Sequence, residues 1–303
     1  IVGIILMILV GVIVIGGLQR IALVAEKIVP FMVVAFIIGS LVIIFKNVTM
    51  IGSAFGAIFS SAFSSKAVWG AAGGVALKQV ITMGCKRGVF SNEAGLGSSV
   101  MVHSNSNVVE PVKQGLWGIF EVFADTIVVC TMTALTILTS GVIDLSTGVA
   151  VTDSDSTLVA EAFNTVFRIG DFEIGRYFIA LAILLFAFTT VLGWSHYGSK
   201  AMEYLAGVNG QKAVKVYKVI FVLMIISGAV LTSSLAWDIS DTFNGMMMIP
   251  NLIGVVALAP LVRKITKSYV SRRIKGNKEE PVLSFFPEIN EQNAKKIAET
   301  GED

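Results

Sequence analysis

Apolar residues run along this chain in long blocks separated by short polar stretches. A helix needs about 20 mostly apolar residues to cross roughly 30 Å of hydrocarbon. Blocks of that order fall at residues 1–17, 28–46, 114–140, 174–197, 217–236 and 243–262. A further one, at 67–106, is interrupted by glycines and charges. Residues 51–64 are apolar but short, which predicts an interfacial or re-entrant helix, and 156–168 reads as a short amphipathic helix inside a loop. The pattern predicts an all-α integral membrane protein with about seven spans.

Composition agrees. Apolar residues make up 54% of the 303 positions and charged residues only 15%, with a mean hydropathy of +0.79. A soluble chain of this length exposes far more charge. Basic and acidic loops alternate. Arg20 and Lys27 follow the first span, Lys200, Lys212, Lys215 and Lys218 lie at 195–218, and a basic run from Arg263 to Lys278 follows the last. Acidic residues dominate 141–176, and Asp238 and Asp241 mark a turn near 237–242. By the positive-inside rule this predicts a multi-pass protein of the plasma (inner) membrane with a cytoplasmic C-terminus. Residues 1–278 form the transmembrane core on this reading, and 279–303 a solvated cytoplasmic tail. The chain opens at Ile1 inside an apolar block with no basic leader, which predicts that it begins within or just before a helix of a longer protein. Cys85 and Cys130 have no metal-ligand spacing and read as small apolar residues. No nucleophile–base pair stands among the spans, so an enzyme is not expected, nor is a nucleic-acid partner or a resident cofactor.

The interrupted block carries the chemistry. Residues 84–99 read GCKRGVFSNEAGLGSS, with four glycines and three charges. Such backbone persists at membrane depth only when buried in protein or lining a polar cavity. A broken helix directs the positive end of a half-helix at an anionic group, while exposed carbonyls hold a cation. Ser91 and Asn92 are candidates to cap the second half-helix and leave amide protons for a carboxylate. Gly95 and Gly97 permit close backbone approach. Lys86, Arg87, Glu93 and Asp125 are candidates for a charge network, with Glu93 bridging to Arg87 or starting the second half-helix. A polar loop between two re-entrant helices is the alternative.

These residues also carry a resemblance. Lys86-Arg87-Gly88 followed by Phe90-Ser91-Asn92-Glu93-Ala94-Gly95-Leu96-Gly97-Ser98 is similar to the signature of the alanine/glycine:cation symporter family. The similarity continues through Pro111, Gln114-Gly115, Asp125-Thr126, Cys130-Thr131, Gly193-Trp194, Trp237, Asp241 and Ile249-Pro250-Asn251, and covers residues 1 to about 270. It implies a leucine-transporter-like inverted-repeat core, of which core helices 4 to 10 are present, with 67–106 as broken helix 6. Core helices 1 to 3, with their share of the ligands, would lie upstream.

The resemblance further implies Na⁺ symport of a small neutral amino acid, alanine or glycine, across the lipid bilayer, with Na⁺ as the coupling ion. It implies that Thr189 and Thr190 contribute hydroxyls to Na⁺, and that Thr190 and Trp194 approach the amino acid beside Ser91, Asn92, Gly95 and Gly97. The residues leave alternatives open: each threonine can bond back to its own helix, and Trp194 can be an interfacial anchor. Glu121 and Asp125, one helical turn apart, have Lys86 and Arg87 as possible counter-ions. An H⁺-coupled permease of the same fold, or a channel or receptor, remains the alternative function.

Overall fold

The computed structural model describes residues 2–63, 73–152 and 155–300. Residues 67–72 of the interrupted block and Asp153 of the acidic loop lie outside them. Twelve α-helices occur among the described residues: α1 (Val2–Ile15), α2 (Leu18–Lys46), α3 (Ile51–Phe63), α4 (Gly73–Asn92), the single turn α5 (Val100–His103), α6 (Pro111–Val122), α7 (Cys130–Thr139), α8 (Asp155–Asn164), α9 (Ile174–Ala206), α10 (Gly210–Gly228), α11 (Ser233–Tyr269) and α12 (Pro287–Thr300). Among the described residues, four segments are long and apolar enough to cross a bilayer: Leu18–Lys46, Pro111–Thr139, Ile174–Gly228 and Ser233–Ile274. The third folds back at a 3₁₀ turn, Gly207–Asn209, so that α9 and α10 pack side by side.

The chain divides into two compact units, Ile1–Gly84 with Val128–Ala236, and Cys85–Ile127 with Trp237–Asp303. In the first, Val10 and Val14 of α1 meet Ile21 of α2 and Leu192 of α9. A second core gathers Phe36 and Ile43 of α2, Phe163 of α8 and Ile179 of α9. Phe163 is fully buried, with the rings of Phe36, Phe167 and Phe178 stacked around it at 5.6 to 6.0 Å. Stacked aromatic burial of this kind anchors packing strongly. The short helix expected inside a loop is therefore a core element. Close approach is required there: a Cβ on Gly39 would press on the Phe163 ring, and one on Gly175 would meet the backbone of Phe163 and Asn164.

Three features differ from the sequence pattern. Helix α2 begins ten residues before the apolar block, because Gly16–Gly17 alone makes the turn (Gly17 φ 81°), and Arg20, Glu26 and Lys27 ride on its first turns. Pro30 is accommodated inside that helix. The acidic turn expected near 237–242 is helical, and the chain instead turns between Gly228 and Ser233. The span at 114–140 changes pitch, with a π-helical stretch at Phe123–Val129. Charge marks solvent only when it is unpaired, and Asp241, described below, is paired.

The tail is largely exposed and is tied back at a few points. Ser271 Oγ donates to Glu279 Oε1 (2.9 Å), the Val282 amide to Ser268 Oγ (3.2 Å), and Leu283 is buried. Asn290 Oδ1 accepts from the amides of Leu283 and Ser284. At the root of the tail, Arg272 Nη2 donates to Glu110 Oε1 at 2.8 Å in a buried ion pair. A buried pair fixes register even where its net contribution to stability is small.

On the acidic loop of the first unit, Asp144 accepts from the Ser146 hydroxyl and amide (2.7 and 2.8 Å). The hydroxyl above all holds the Asp144 carboxyl down at about 2.

Candidate functional site

Helix α4 does not break where the glycines begin. It runs through Gly84, Lys86 and Gly88 and ends at Asn92. The chain turns at Glu93 (φ 57°), the one non-glycine residue at positive φ among those described, and again at Gly97 (φ 74°). Left-handed backbone costs a non-glycine residue on the order of 1–2 kcal/mol. Ser98 Oγ offsets part of that by donating to Glu93 Oε2 at 2.7 Å, and the Leu96 and Gly97 amides close the turn on Glu93 O at 3.0 Å. Asn92 Oδ1 accepts from the Ala94 amide at 3.1 Å.

Ser91 and Asn92 thus stand in the last turn of α4, not at the start of a second half-helix, and the helix that follows the turn is only four residues long. A helix C-terminus presents unpartnered carbonyls and negative potential, which suits a cation. Both side chains reach the π-helical stretch. Ser91 Oγ donates to Asp125 Oδ2 at 2.6 Å, and Asn92 Nδ2 to Thr126 Oγ1 at 3.0 Å. Single π turns interrupt helices frequently at functional sites.

The turn is held from α11 by Asn251, whose Nδ2 donates to the carbonyls of Ala94 (3.0 Å) and Gly95 (2.9 Å). A Cβ on Gly97 would overlap the Asn251 side chain, and one on Gly95 would overlap Val89. These two glycines therefore allow a close approach of Asn251 and Val89. Asn251 was visible in sequence only as part of the Ile249-Pro250-Asn251 similarity, since an amide inside an apolar helix carries no local signal of what it holds.

The expected four-residue charge network is divided. Lys86 Nζ lies 3.3 Å and Arg87 Nη1 3.7 Å from the Asp241 carboxylate, while Arg87 Cζ sits 4.0 Å from the Trp237 ring centre. Phe90 meets the same indole edge-on at 5.6 Å. Glu93 is bonded to Ser98 and Asp125 to Ser91, so neither is the partner of these cations in the structure. Asp241 lies within α11, part of a candidate span, where shared ion pairing makes a carboxylate tolerable.

A cavity of about 760 Å³ opens against this turn, with Asn92, Gly97, His103, Gln114, Glu121 and Asn251 among its walls. His103 Nε2 is 3.0 Å from Glu121 Oε2, and Gln114 Nε2 is 2.6 Å from His103 Nδ1. Glu121, without a role in the sequence pattern, has one here.

In the first unit, Thr189 Oγ1 donates to the carbonyls of Leu185 (3.1 Å) and Phe186 (3.0 Å) of its own helix. Thr190 is exposed on α9, and Trp194 is half-buried, edge-on to Tyr197 at 5.6 Å. These three share α9, whereas Ser91, Asn92, Gly95 and Gly97 belong to the second unit.

Long apolar helices and an interrupted helix held by an amide from another helix define a multi-pass, all-α membrane protein. Residues 1–283 match the sodium:alanine symporter family, and the chain belongs to that family. It is 40% identical over 268 residues to the sodium/alanine symporter AgcS of Methanococcus maripaludis, which covers 88% of this chain and 56% of that protein. It is 35% identical over 289 residues to the probable sodium/glutamine symporter GlnT of Bacillus subtilis (95% and 56%), and 33% over 279 residues to a sodium/proton-dependent alanine carrier protein of Bacillus sp. strain PS3 (88% and 60%). The chain thus spans somewhat over half the length of the curated relatives it matches. The family is one of transporters, not enzymes.

Proposed function

We propose that this protein takes part in the import of a small neutral amino acid, alanine or glycine, by Na⁺ symport through alternating access. The observation that carries the reading is the non-helical turn at 93–97, held by Asn251 and free of side chains at Gly95 and Gly97. A zwitterion can lie in the cavity beside this turn, where Asn92, Ala94 and Gly97 form part of the wall, its ammonium facing the carbonyl end of α4. The names of the relatives support amino acid and Na⁺ as cargo, with both alanine and glutamine among their substrates.

On this reading the leucine-transporter-like core supplies helices 4 to 10 here in seven crossings of the cell membrane, with a cytoplasmic C-terminus. Thr189 and Thr190 contribute to Na⁺ and Trp194 limits the size of the side chain. Thr189 spends its proton within α9, but a hydroxyl keeps oxygen lone pairs for a hard cation.

Uptake of labelled alanine into vesicles tests the coupling. It should collapse when Na⁺ is replaced by choline and survive a protonophore when a Na⁺ gradient is imposed; the reverse result would make the carrier H⁺-coupled. Thr189→Val with Thr190→Val should raise the Na⁺ concentration needed for half-maximal uptake by about tenfold, the loss of roughly 1.4 kcal/mol of ligand energy. An unaltered Na⁺ titration would remove the pair from the ion site.

A further inference from the structure

We propose that His103 and Glu121 form a proton-binding site in the cavity wall, and that the proton bound there competes with the cation that the cavity admits. The proposal rests on the transport reading for its cargo, but its geometry is independent of it. His103 and Glu121 are the two titratable side chains among the residues lining the cavity, and they are bonded to each other at 3.0 Å. The turn after α4 contributes Asn92, Ala94 and Gly97, α6 contributes Gln114 and Glu121, α11 contributes Asn251 and Val255, and α12 contributes Asn293. The nearby charges are engaged elsewhere: Glu93 with Ser98, Glu110 with Arg272, and Asp125 with Ser91, while Lys113 does not line the cavity.

Gln114 fixes the state of the ring. Its amide donates to Nδ1 at 2.6 Å, so Nδ1 accepts and the neutral ring carries its proton on Nε2, donated to Glu121. In that state the wall bears one negative charge. A proton added at Nδ1 requires the Gln114 amide to turn and present its oxygen, and the wall then becomes neutral. The Glu121 side chain is 59% exposed, so an entering cation can approach the carboxylate directly. A cation in the cavity is therefore attracted when the ring is neutral and loses that attraction when it is protonated.

Two measurements test this. Half-saturating Na⁺ for alanine uptake should rise by about threefold or more when the assay pH is lowered from about 8 to about 5. His103→Gln should flatten that dependence, and Glu121→Gln should raise half-saturating Na⁺ at every pH. Uptake by His103→Gln with the parent's pH profile would overturn the proposal. The second readout needs no transport: ¹⁵N-histidine spectra of the purified protein, with the His103 signals assigned by their loss in His103→Gln. At alkaline pH the Nε2–H tautomer is expected, and Gln114→Ala should mix the two tautomers. An Nδ1–H ring, or signals unmoved by Glu121→Gln, would refute the site. Uptake that persists unchanged without Na⁺ would instead refute the transport reading, leaving the spectra to decide the proton site.

Discussion

Gly97→Ala is expected to abolish alanine uptake while the neighbouring Gly88→Ala leaves it intact. At Gly97 the backbone is left-handed (φ 74°), and a Cβ there would overlap the Asn251 amide. The substitution costs on the order of 1–2 kcal/mol in backbone strain. It also displaces the donor of two hydrogen bonds to the Ala94 and Gly95 carbonyls, worth about 1 kcal/mol each. Together these approach ~3 kcal/mol against the turn, about a hundredfold in the population of the competent site. Gly88 is helical and its Cβ would meet open space, so alanine there is mildly favourable. Gly95→Ala falls between them: a Cβ there would press on both Val89 methyls and on Val89 Cβ at 3.2 Å, which rotation does not clear, but the backbone at Gly95 is not left-handed. Initial uptake rates at equal surface expression separate the three; equal loss at Gly88 and Gly97 would show that the close approach to Asn251 is not what matters.

The second effect is at Asp241. Asp241→Ala leaves Lys86 and Arg87 without the carboxylate they share. Removing one partner from a fully buried pair costs about 3–5 kcal/mol and from an exposed pair about 0–1; with Asp241 12% but the two cations 44% and 41% exposed, the loss here is on the order of 1 kcal/mol. The expected result is a detergent-solubilised protein with an unfolding temperature lowered by about 2–4 °C and reduced uptake. Asp241→Ala combined with Lys86→Met should recover part of the stability, since one unpaired cation is removed, while Arg87 keeps its seat over Trp237. Independent, additive losses in the double variant would show that the two residues do not act as a pair.

The same ion pair explains where sequence pattern succeeded and where it failed. Apolar periodicity placed helices at 28–46, 114–140, 174–197 and 243–262, because burial in lipid or protein demands runs of that length. It misplaced two of their ends: Asp241 read as a solvent turn but is ion-paired inside α11, and Arg20 and Lys27 read as a loop but ride on the exposed first turns of α2. The glycine-rich segment marked the helix break to within a few residues. Which residue turns was not legible, since Gly84 and Gly88 stay helical while Glu93 adopts positive φ, supported by Ser98 five residues on. Partners contributed by a distant helix, such as Asn251 to Ala94 and Glu121 to His103, leave no periodic trace at all.

The most direct test of the account is counterflow. Vesicles carrying the protein, loaded with unlabelled alanine and diluted into a trace of labelled alanine with Na⁺ on both sides, should accumulate label transiently above equilibrium, with saturation as external alanine is raised. That overshoot requires a site that faces one side at a time. Label that equilibrates without overshoot and without saturation would mean an open path or a sensor, and would contradict a carrier built around the turn at 93–97.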